Sequence, residues 1–130
     1  PDAPTDIRPL VSALVRPMTI ALADSRGRRY VRIVAQLSDR FPTWQDVPEG
    51  VDQTHLTDAL VRLEARAAGP DASIRTARLV AMILLMTSSL AARAVVLDSG
   101  TTQTLDDRAY EGDLIDVLVG VLTATSTLAA

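Results

Sequence analysis

Residues Ile74–Leu97, IRTARLVAMILLMTSSLAARAVVL, restrict the possible folds more than any other part of the chain. They contain neither glycine nor proline. The charged Arg75, Arg78 and Arg93 and the Thr87-Ser88-Ser89 patch interrupt the apolar side chains. Leu79–Met86 is apolar on every side of a helix, and such a segment has to be covered on most of its circumference. A chain of 130 residues covers part of it with its own helices; a second copy is the expected source of the rest. The run is also about long enough to span a bilayer. Its three arginines and hydroxyl patch argue against that, since an arginine at mid-membrane depth costs at least about 2.5 kcal/mol.

Composition removes several kinds of chemistry. With no cysteine, disulfides, thiolate catalysis and cysteine-type zinc sites are excluded, and the single His55 leaves no histidine pair for a metal. We expect no metal and no cofactor. A net charge of −3 gives no general attraction to nucleic acid. Nearly half the residues are hydrophobic but only 3% are aromatic, so the core is built from Leu, Val, Ala, Ile and Met. All basic residues are arginine, which reads as the codon bias of a GC-rich genome. The chain opens PDAPTD, without an initiator Met or a basic-then-apolar leader. That opening suggests a processed product or a piece of a longer protein.

Apolar spacings of three and four predict five helices and no strand. The first covers about Thr5–Ala23, with Ile7, Leu10, Val11, Leu14, Val15, Met18, Ala21 and Leu22 on one face. Pro9 falls in its first turn; Pro17 falls inside and predicts one bent helix. Asp24 or Ser25 caps a second helix, Gly27–Arg40, whose buried face reads as Tyr30, Ile33, Val34, Leu37 and then Phe41. Arg26, Arg28, Arg29 and Arg32 crowd its start, against the helix dipole, so they face either a partner surface or nearby carboxylates. Phe41–Val51 is a loop whose Phe41 and Trp44 plug one end of the bundle or line a cavity mouth.

A third helix, Gln53–Ala68, is capped by Asp52 or Thr54, carries Leu56, Ala59, Leu60, Leu63 and Ala67 inward, and stops at Gly69-Pro70. His55 in its first turn reads as an ordinary exposed or hydrogen-bonded histidine. The fourth helix runs from about Asp71 to Leu97 or Asp98 and ends at Ser99-Gly100. A fifth follows a Thr104 cap and extends to about Thr123, with Tyr110, Leu114, Val117, Leu118, Val121 and Leu122 as its stripe. Gly120 within it is tolerable where another helix comes close. Five helices joined by short loops make an all-α domain.

VRPM inside the first helix, then GRRYVRIVAQLSDRF, a Pro/Trp loop, RLVAMILLMTSSLAARA and DLIDVLVGVLTA together resemble the C-terminal regulatory domain of TetR-family transcriptional regulators. The resemblance covers nearly the whole chain and implies a five-helix antiparallel bundle forming a single regulatory domain at residues 1–130. The helix-turn-helix of that family is absent here, so operator DNA would be met only through a missing N-terminal domain. The resemblance further implies a cytoplasmic homodimer in which the last two helices form an intersubunit four-helix bundle. The implied interface residues are Ala91, Ala94, Leu114, Val117, Leu118, Gly120 and Val121. A hydrophobic or amphipathic small-molecule effector is implied, with Met18, Leu22, Tyr30, Leu37, Trp44, Met82 and Met86 as the ligand-binding residues. Arg28, Arg29 and Arg32 are implied as interdomain contacts. Arg78 or Arg93 would meet an anionic group on the ligand or, more simply, form a salt bridge.

Two further readings compete with this one. A structural dimerisation module with a packed core and no ligand fits the same pattern. An enzyme fits it poorly, because Asp106, Asp107, Asp113 and Asp116 sit at a cap and on a polar face where solvation explains them.

Overall fold

The computed structural model describes residues 3–40 and 54–128. These residues form five helices and no strand: α1 (Ala3–Ala21), α2 (Ser25–Arg40), α3 (Thr54–Arg66), α4 (Ala72–Asp98) and α5 (Asp107–Thr123). The loop holding Phe41 and Trp44, and the Asp52 cap, lie outside the described residues, as does the side chain of His55.

Local chemistry accounts for the helix ends. The Asp24 carboxylate accepts the Gly27 N–H at 2.7 Å and so caps α2, resolving the choice between Asp24 and Ser25. Asp71 caps α4 through the Ile74 N–H at 3.0 Å. α5 begins later than its sequence suggests: Asp106, not Thr104, is its cap and accepts the Ala109 N–H at 2.8 Å. α4 stops where Gly100 takes up a φ of 72°, a left-handed conformation that costs glycine nothing. α1 runs unbroken through both Pro9 and Pro17 as one helix.

The core gathers residues from all five helices. Ile7, Val11 and Val15 of α1, Leu60 and Leu63 of α3, Leu79, Met82 and Leu90 of α4, and Leu118 and Leu122 of α5 are buried together with Val31 of α2. The apolar stripes read in α1 and α3 therefore point inward, apart from Leu56, which is exposed. α5 buries Ile115 in addition to Leu114, Leu118 and Leu122, and leaves Val117 outside.

α2 departs from expectation. Of its expected buried face, Tyr30, Ile33 and Leu37 are 57%, 49% and 46% exposed and Val34 is half-buried, while Val31 is the fully buried residue. The cause is polar and steric. Arg28 and Arg32 reach Asp98 at the end of α4, at 2.5 and 2.6 Å, which turns their side of the helix inward. Gly27 sits against the backbone of Ala21, where any Cβ would collide with its carbonyl group. α2 packs extensively on α4 and more lightly on α1, with Gly27, Arg28 and Val31 on the inner side.

Candidate functional site

Among the described residues no group of three or more His, Asp or Glu side chains is placed to hold a metal ion. The polar clusters that do exist join helices. Arg93, 8% exposed, is the most enclosed charge in α4. Its guanidinium donates to Asp107 Oδ1 at 2.9 Å, to the Leu105 carbonyl at 3.1 Å and to Gln103 Oε1 at 3.3 Å. It also lies 4.6 Å from the centre of the Tyr110 ring, within cation–π range. A buried guanidinium needs this many acceptors to offset its lost hydration. Burial pushes the Tyr110 hydroxyl pKa up, against the opposing charge of Arg93. That hydroxyl finds no hydrogen-bond partner among the described residues.

Arg93 thus forms a salt bridge, one of the two roles its sequence position allowed. Arg78 instead donates to the Ala124 carbonyl just past the end of α5. Glu111 on α5 accepts from Thr19 of α1 at 2.5 Å and pairs with Arg16 at 3.5 Å. Arg8 of α1 and Asp116 of α5 pair at 2.7 Å on the surface. At the other flank of α4, Asp98 lies between Arg28 and Arg32. The hydrogen bond from Arg28, helped by that from Arg32 and opposed by desolvation, holds the Asp98 carboxyl below the ordinary carboxylate pKa.

The residues implied as ligand contacts are dispersed. Leu22, Met82 and Met86 are core residues, and Met18 packs against that core. Tyr30 and Leu37 lie on the outward side of α2, so they do not join the methionines. Trp44 is outside the described residues. The interface set also divides. Ala94, Leu114 and Leu118 are enclosed by the chain's own helices and offer no surface to a second copy. Ala91 and Val121 are half-buried, and Val117 and Gly120 are exposed. The correction has a simple reason: an all-apolar helix does not mark its inner side, and the leucines of α5 serve the protomer core first. Of the three arginines implied as interdomain contacts, Arg28 and Arg32 are held by Asp98, while Arg29 points outward.

An uncovered stripe on α4 remains. Ala77, Ala81, Leu85, Ser88, Ala92 and Val95 are exposed along one side, with Leu84 and Ala91 half-buried beside them. No charge interrupts this stripe over five turns. The positions 77, 81, 84, 88, 91 and 95 alternate spacings of four and three, the repeat that lets two helices lie along each other. α4 is long and apolar enough to cross a membrane by length and composition, a test that the core helix of a soluble protein also passes. Comparison with known proteins finds no matching family model, no significantly similar curated protein and no significantly similar solved structure.

Proposed function

We propose that the chain is the homodimerising, effector-responsive regulatory domain of a TetR-like transcriptional repressor, non-enzymatic and cytoplasmic. The observation that carries the association half of this reading is the outer stripe of α4. A contiguous charge-free helix face of this length is what a protein–protein interface covers. In the proposed dimer, α4 and the exposed Val117 and Gly120 of α5 meet their counterparts across a two-fold axis. A four-helix arrangement of this kind fixes the distance between whatever two DNA-binding domains the subunits carry. An apolar effector preferring one arrangement then shifts operator affinity by its differential affinity for the two states.

Light scattering tests this directly. At on the order of tens of micromolar protein, the expected mass is twice the 13.9 kDa of the chain. Leu85→Glu and Val95→Glu are each expected to return it to the single-chain value. A wild-type monomer at that concentration would overturn the proposal.

A second reading, a dimerisation module without an effector, draws support from Met82 and Met86, which are closed into the core. A thermal-shift screen with apolar ligands separates the two. Melting-temperature rises that saturate with ligand concentration favour a regulatory domain, and a flat response favours the packed module.

A further inference from the structure

α2 is an amphipathic helix mounted with its apolar side outward. Tyr30, Ile33 and Leu37 stand on the solvent side, while the side against α4 carries a glycine, the Asp98-bound arginines and only one fully buried apolar residue, Val31. Arg26 and Arg29 share that outward side at its N-terminal end. Both are exposed, and neither is paired with any of the described residues. No acidic side chain described on that face offsets them.

From this we infer that the outward face of α2 docks an amphipathic helix of a separate polypeptide, one with apolar residues along its middle and Asp or Glu opposite Arg26 and Arg29. Residues 26, 30, 33 and 37 follow each other at spacings of four, three and four, so the stripe is one side chain wide and matches the ridge of a second helix. Charge chooses among occupants. A second α2 would bring arginines of one copy beside a face on which no described acid receives them. An anionic membrane would meet three apolar side chains and two arginines, a small footprint on a chain of net charge −3. An acidic helix satisfies both the stripe and the two cations that no described residue pairs. This surface is distinct from the outer stripe of α4, so it stands whether or not the chain dimerises.

The probe is a fluorescein-labelled synthetic helical peptide with a leucine seam and glutamates at one end, titrated with the 130-residue chain and read by anisotropy. A twin peptide with lysines for the glutamates and vesicles of anionic phospholipid are run alongside. Saturable binding of the acidic peptide is expected, at least about tenfold tighter than of its lysine twin. Ile33→Asp should abolish it. The double variant Arg26→Glu/Arg29→Glu should reverse the preference, so that the lysine peptide now binds. All three positions are exposed, and unchanged circular-dichroism melting confirms that each variant folds. Equal affinity for the two peptides, no saturable binding up to about 100 μM, or binding to vesicles alone would each overturn the inference.

Discussion

At the scale of single residues, three positions account for much of how the helices meet. Arg93 gathers the segment between α4 and α5 around itself through one carboxylate, one side-chain amide and one backbone carbonyl. Tyr110 stacks beside it with a buried hydroxyl that has no partner among the described residues. An unmade hydrogen bond in a buried setting is a cost. Tyr110→Phe keeps the ring and removes that cost, so it should leave stability unchanged or raise it by up to about 1 kcal/mol in urea unfolding. Tyr110→Ala, which also removes the ring, should destabilise. Gly27 makes the opposite point. Alanine is ordinarily the better helix residue, but here its methyl group would run into the Ala21 backbone. Gly27→Ala should therefore cost about 1–3 kcal/mol, as other overpacked sites do, measured by the same denaturation.

At the scale of elements, α2 is tied to the end of α4 by charge. Cations at its start and the Asp98 anion at the end of α4 each oppose their own helix dipole, and each favours the other's. The pairing therefore stabilises docking more than it stabilises either helix alone. Its pH dependence has a definite sign. The folded Asp98 carboxyl titrates below its unfolded counterpart, so the folded state binds fewer protons in that range. The contribution is complete above the unfolded value near 3.8 and is lost as pH falls through the lower folded value. Melting temperatures followed from about pH 5 to pH 2 should fall less steeply in Asp98→Asn than in the wild type. In Asp98→Asn at neutral pH, the α2 amides should exchange with solvent faster while those of α4 stay protected.

The same helix shows where sequence reasoning reaches its limit. Apolar periodicity located all five helices to within a few residues, and it assigned the inner faces of α1 and α3 because those stripes had no competitor. It reversed α2, because a moment reports where the apolar side chains lie and not on which side the neighbouring helix stands. The signal that outweighed it was long-range: Asp98 lies 66 and 70 residues from Arg32 and Arg28. α4 posed a different difficulty. With Ala91 and Ala94 chemically identical, nothing local distinguishes the half-buried one from the fully buried one. Sequence reasoning left Arg93 either a salt bridge or a ligand's anionic group, and could not foresee how many acceptors converge on it.

At the scale of the whole molecule, the five helices bury one common core yet leave the outer stripe of α4 uncovered. If two chains close over it, stability becomes concentration-dependent by mass action. The melting temperature should then rise as the chain is concentrated from about 1 to about 100 μM. Leu85→Glu should remove that dependence, and a melting temperature that does not vary with concentration in the wild type would argue for a protomer complete in itself.

The contacts between α1 and α5 bear on how such a chain is made. Arg8 meets Asp116 across 108 residues of sequence, and Thr19 meets Glu111 across 92. The first helix is therefore synthesised well before the α5 side chains that it meets. At ribosomal speeds of about 5–20 residues per second, its apolar face waits on the order of ten seconds for α5 to emerge. During that interval Ile7, Val11 and Val15 are held only by whatever α2, α3 and α4 provide. Closure of the bundle is thus coupled to synthesis of α5, and a nascent protein stalled before residue 107 would present that face to chaperones instead of to α5.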